Sequence, residues 1–172
     1  MKRPTPFPTD DLSPSGAALT ELVIEVFRLN GDLLAAGDAL VRDLGLTSAR
    51  WQVLGAIALS PAPLPVAHIA RNMGLTRQAV QRVVDDMHGD GLIQFEANPH
   101  HRRAMLVTMT ETGEAAYGQA STLQQRWAED LAFELSADTI RTAVMLLRTV
   151  QQRVSRSEAD ASLLDKSTPR EA

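Results

Sequence analysis

Apolar residues recur along the first part of the chain at Leu22, Val26, Leu29, Leu33, Ala36 and Leu40, spaced alternately by four and three residues. That period is the stripe of an amphipathic helix and predicts one over about residues 15–43. A stripe kept in register for so long exceeds what a lone core needs and reads as a seam against other long helices. Gly31 and Gly37 interrupt it, each at a cost of about 1 kcal/mol relative to alanine, and are expected to mark a bend or a close approach. Residues 1–14 hold four prolines among Thr, Asp and Ser. They are expected to form a disordered arm, because nothing there can bury enough apolar surface to fold.

Leu46–Leu59 (LTSARWQVLGAIAL) predicts the next helix, capped by Thr47 or Ser48, with Trp51, Leu54 and Ile57 inward. Three prolines in Ser60–Pro65 predict a loop. The stretch Val66–Thr110 then carries two short helical patterns joined at Gly74. Ala70 is small enough for a second helix to cross closely, and Gly74 can take the positive φ that ends the first helix in a tight turn. Thr76 stands where an N-cap hydroxyl belongs. Ala79, Val80, Val83, Val84 and Met87 form the stripe expected to pack on Ile69 and Met73. The second helix should run from about Arg77 to His88 and close at Gly89 or Gly91. Leu92–Glu96 and Ala104–Met109 read as two strands around the polar turn ANPHHRR. Helix, turn, helix and hairpin in that order make a winged helix-turn-helix over about residues 46–110.

Beyond it, Thr110 is expected to cap a helix over about Glu111–Leu135 carrying Ala115, Leu123, Trp127 and Leu131. Ser136 should start another, with Ile140, Val144, Leu147, Val150 and Val154 apolar, ending near Arg156. Residues 157–172 lose the period and are expected to be a flexible tail. The predicted fold is thus mainly α with a small β-hairpin wing, residues 15–156 forming a single domain. Long helices at about 15–43 and 111–156 flank the reading unit, more than a minimal DNA-binding module needs, and together they suit a dimer interface.

The polar face of the predicted recognition helix (76–88) carries Arg77, Gln78, Gln81, Arg82 and Asp85. Arginine can pair with a guanine edge through two bonds and glutamine with adenine, which is the chemistry of major-groove readout. A solvated helix surface can show the same residues; their place after Ala70 and Gly74 favours readout. The wing (97–104) brings His100, His101, Arg102 and Arg103 to a tip suited to phosphates or the minor groove. Imidazoles are largely neutral near pH 7, so the two arginines are the expected charge contacts.

Charge qualifies this picture. The 172-residue chain carries a net −4, which argues against nucleic acid taken alone. Residues 66–110, however, hold five arginines against four carboxylates, a local +1, and all four histidines. A protein-interaction module built on the same winged helix is the alternative that the acidic balance keeps open. Cysteine is absent, which removes disulfides, thiolate metal sites and thiol redox sensing. The basic start of the chain is followed by no apolar segment, and no apolar run approaches a membrane span, so a cytoplasmic location and no membrane partner are the expectation. Catalysis finds no support: there is no HExxH, no phosphate loop and no Gly-x-Ser-x-Gly. His68 and His88 sit on separate helices, and adjacent Asp85 and Asp86 diverge by roughly 100°. No cofactor and no metal is implied.

Four segments resemble the MarR family of bacterial transcriptional regulators: LTSARWQVL, IARNMGLTRQAVQRVVDDM, GDGLI and RRAMLVTMTETG. The resemblance covers about residues 15–155. It implies a winged-helix homodimer joined through its first and last helices, a repressor that binds a pseudopalindromic operator in double-stranded DNA. Many such regulators release DNA when a small, often phenolic, ligand enters a crevice between the two regions. Carried over residue by residue, the DNA-binding positions are Thr76, Arg77, Gln78, Gln81 and Arg82, with Arg103 as the wing arginine and Arg102 and His100 beside it. Where the family usually has an aspartate two residues before that arginine, this chain has His101. No ligand-binding residue is assigned; Asn30, Asp32 and Asp38 are polar positions on the first helix that invite the question.

Overall fold

The computed structural model describes residues 12–101 and 103–166, with side chains described as far as Ser157. The greater part of the expected N-terminal arm, the last residues of the expected tail and Arg102 lie outside the described residues. In chain order the elements are α1 (Pro14–Val41), α2 (Ser48–Ala58), β1 (Leu64–Pro65), α3 (Val66–Met73), α4 (Arg77–Gly89), β2 (Ile93–Glu96), β3 (Leu106–Met109), α5 (Glu111–Ala132) and α6 (Ala137–Lys166). A short 3-10 turn, Arg42–Leu44, follows α1. The chain divides into two compact units after Gln125. The first holds the winged helix; the second holds the end of α5 and α6. No helix among the described residues is long and apolar enough to cross a membrane.

Local chemistry sets most boundaries of the first unit. The Ser13 hydroxyl accepts from the Gly16 N–H at 3.1 Å and Pro14 opens the first turn of α1, where its missing N–H costs nothing. Thr47 caps α2 by accepting from the Arg50 N–H at 3.3 Å. The two helices meet where Gly37 is buried; a Cβ there would stand 2.5 Å from the Ser48 hydroxyl. Gly37 is therefore the close approach, whereas Gly31 faces open space. Asp38 accepts from the Ser48 N–H at 2.6 Å, so this carboxylate serves the start of α2.

The sheet has three strands in the order β1-β3-β2, all antiparallel. This corrects the expected two-stranded hairpin with Ser60–Pro65 as plain loop: Leu64 pairs with Val107 and Pro65 with Leu106 on the outer side of β3. On the other side Phe95 faces Val107 and Ile93 faces Met109. The core collects Val41, Val53, Leu54, Ile69, Val80, Val84, Met87, Ile93 and Val107, each at most 1% exposed. Trp51 packs half-buried on its margin. Among the described residues no buried side-chain N or O lacks a hydrogen-bond partner. Thr110 ties α5 to this core region by donating its hydroxyl to the Gly91 carbonyl at 2.6 Å and accepting from the Gly113 N–H at 3.1 Å.

Two further expectations are corrected. Ala79 is exposed, outside the stripe assigned to it. Val80, Val84 and Met87 follow the four-three period of one face, and Ala79 falls about 100° away from Val80. The backbone of α6 also continues to Lys166, past the expected end near Arg156, so residues 157–166 are helix where a tail was expected. SEADASLLDK lacks an apolar stripe but holds neither Gly nor Pro, and the next proline is Pro169.

Candidate nucleic-acid interface

Three residues, Gly74, Leu75 and Thr76, separate α3 from α4. Gly74 takes φ 65°, and the N–H groups of Gly74 and Leu75 return to the carbonyls of Arg71 (3.2 Å) and Ala70 (2.9 Å). That pair of bonds stops α3 within one residue and turns the chain for the next helix. The Thr76 hydroxyl accepts from the Ala79 N–H at 3.2 Å, fixing the start of α4. The far end closes at Gly91, φ 71°, whose N–H donates to the His88 carbonyl at 3.1 Å.

With Val80, Val84 and Met87 turned inward, the opposite side of α4 is set. Arg77, Gln78, Arg82 and Asp85 are exposed and Gln81 is half-buried. Gln81 donates from Nε2 to Asp85 Oδ1 at 2.8 Å, one turn along the helix. Asp90, just past the end of α4, pairs with Arg50 of α2 at 2.6 Å. The ion pairs among the described residues are Arg28–Glu25, Arg50–Asp90 and Arg141–Asp138, so Arg77, Arg82 and Arg103 hold no carboxylate there.

The wing tip is a folded turn. Asn98 Oδ1 accepts from the His100 N–H at 2.9 Å, its carbonyl accepts from the His101 N–H at 3.3 Å, and the His101 carbonyl accepts from the Ala104 N–H at 3.0 Å. Asparagine is suited to this because its side chain imitates a backbone turn. Between the wing and α3–α4 runs a groove of about 1200 Å³. Arg77 and Gln81 line it from α4, His68 from α3, and His100, His101 and Arg103 from the wing, with no carboxylate among the lining residues. Such a lining offers cations and donors and no like charge to a phosphate.

The structure thus brings Arg77, Gln81, His100 and Arg103 around one groove. Thr76, Gln78 and Arg82 stand on the exposed surface of α4 outside that lining. His68 joins the groove from α3; it precedes buried Ile69, so the α3 pattern marks it as outward but not what it faces. His88, by contrast, is occupied within the fold. Its Nδ1 lies 3.1 Å from the Ile93 carbonyl, and its ring meets Phe95 edge-on with centroids 5.0 Å apart.

The comparisons with known proteins agree with this architecture. The MarR family model matches residues 44–104, from the turn before α2 to the wing tip, short of β3. An uncharacterised protein of Mycobacterium tuberculosis is 34% identical over 137 residues, covering 76% of this chain and 94% of its own. Among solved structures, wild-type apo MarR from E. coli is 25% identical with a TM-score of 0.62, covering 75% of this chain and 96% of that one. The M. tuberculosis transcriptional regulator MosR, solved in complex with DNA, shares the fold at 22% identity and a TM-score of 0.65, covering 77% and 96%. From the glycine-ended turn and capped α4 to the three-stranded wing and the matched family model, these findings place the chain in the MarR family of winged-helix transcriptional regulators.

Proposed function

We propose that this chain is a homodimeric, sequence-specific DNA-binding repressor that reads a pseudopalindromic operator. The exposed face of α4 enters the major groove, Arg77, Gln78, Gln81 and Arg82 meet base edges, and Thr76 meets the backbone. The wing, through His100, Arg102 and Arg103, follows the adjacent phosphates or minor groove. The single observation that carries this reading is the groove between α4 and the wing, whose polar lining holds two arginines and three histidines and no carboxylate. It supports phosphate contact despite the net −4 of the chain, because local charge governs the contact surface.

The dimer is supported by apolar surface that each unit carries. Phe27 on α1 is 72% exposed and Met145 on α6 is 60% exposed, and side chains of this kind in the long flanking helices ask for a partner. Paired recognition helices would then meet half-sites about 10–10.5 base pairs apart. Release by a small aromatic ligand, for which the support is the family, and a cytoplasmic location complete the reading.

The test is binding-site selection with the purified protein from random duplexes, followed by anisotropy titrations of Arg77→Ala and Arg82→Ala on the selected site. Each variant should lose about 1–3 kcal/mol if its arginine reads a guanine, with relaxed selectivity at one position per half-site. Wild-type binding should weaken steeply as salt rises. Recovery of no palindromic motif, or equal binding by both variants, would overturn the assignment in favour of a protein-interaction role.

A further inference from the structure

The hydrogen bond from Gln81 Nε2 to Asp85 Oδ1, 2.8 Å long, has a directional content that a list of reading residues does not hold. An ionised carboxylate only accepts, so the amide end that faces Asp85 must be the nitrogen. The amide is thereby held against rotation about its terminal torsion, which for glutamine is otherwise broad and close to two-fold. One N–H goes to Asp85. The second N–H and the Oε1 acceptor remain together on the opposite edge.

That edge is a donor beside an acceptor. Adenine offers the matching pair in the major groove, an N7 acceptor and an N6 donor, whereas guanine offers two acceptors at N7 and O6. Gln81 in this orientation fits adenine through two bonds and sets its oxygen against guanine O6. Gln81 also lines the groove beside Arg77, on the side of α4 proposed to meet DNA. Asp85 itself is exposed on that surface, where a carboxylate repels phosphates and weakens binding of any sequence. A residue that opposes affinity in the reading face needs a compensating role.

The geometry points to Asp85 as a positioning residue that fixes the Gln81 amide so that α4 prefers adenine to guanine at one position in each half-site. The inference rests on the DNA-reading function proposed above.

The experiment compares wild type, Asp85→Asn, Asp85→Glu and Gln81→Ala on the selected operator and on its adenine-to-guanine variant at each purine. For wild type one position should show discrimination of about tenfold or more. Asp85→Asn can donate as well as accept, lets the amide turn over, and should reduce that ratio to within about twofold. The same variant should bind random duplex more tightly than wild type, since a carboxylate has left the phosphate-facing surface. Asp85→Glu keeps an acceptor-only partner and should retain the preference, while Gln81→Ala should abolish it. A mere helix-stabilising pair would alter melting temperature without changing which base is preferred. An unchanged adenine-to-guanine ratio in Asp85→Asn, or in Gln81→Ala, overturns the inference while leaving DNA binding intact. Absence of any preferred sequence for wild type overturns the functional reading as well.

Discussion

Arg50 of α2 and Asp90 at the end of α4 form an ion pair 2.6 Å long that fastens the last turn of the proposed reading helix to the helix behind it. The Arg50 side chain is 23% exposed and that of Asp90 55%. A carboxylate at a helix C-terminus faces the negative end of the macrodipole, so Arg50 offsets an otherwise unfavourable placement. Removing the arginine should therefore cost more than removing the acid. We expect Arg50→Ala to lower stability by about 1 kcal/mol and Asp90→Asn by less, both values discounted for solvent screening. Urea unfolding of the two variants and the double variant, at low and high salt, measures the coupling. Strict additivity would mean that the pair contributes nothing.

Replacing Asn98 with alanine should separate wing shape from wing chemistry. The change removes the acceptor of the His100 N–H but leaves every cation in place. Stability should change little, because the wing tip is exposed at Pro99, His100 and His101. DNA affinity should fall by about 0.5–1.5 kcal/mol, the cost of ordering the turn on binding. Anisotropy titration beside a thermal melt reads both quantities, and an unaltered affinity would remove the turn from the account.

Charged substitutions on the long helices should test assembly without touching the reading unit. Phe27, Leu29 and Leu33 on α1 lie outside the buried core at 72%, 54% and 42% exposure. Phe27→Asp should give monomers in analytical ultracentrifugation while retaining native helicity. Leu147→Asp on α6, at a position 42% exposed in the single chain, should do the same. Operator affinity should drop about 100-fold or more once the two half-sites are no longer engaged together. A variant that stays dimeric would show that its helix is not part of the interface.

Much of the winged helix is legible because its signals are local. Gly74, Thr76 and the Val80–Val84–Met87 period lie within a few residues of the bonds they determine, and α4 begins at Arg77 as the cap predicts. Pairings across distant segments are not legible in this way. Nothing near Arg50 announces Asp90, and nothing near Leu64 announces that it will pair with Val107. The candidate site is readable as a set of outward polar positions. That Arg77, Gln81, His68, His100 and Arg103 surround one groove follows only from how the wing folds against α3 and α4. The length of α6 is not legible for a different reason: an apolar stripe marks where a helix has a packing partner, and its loss does not by itself end the helix.

Pro65 gives the small sheet a property unrelated to DNA. β3 is its central strand, and one of its two edges is the two-residue β1, which ends in a residue with no N–H to donate. Two more prolines, Pro61 and Pro63, lie in the approach to that edge. A further strand from a neighbouring molecule would find little ladder to extend along β1, so edge-to-edge pairing is disfavoured on that side and is left to the opposite edge, β2.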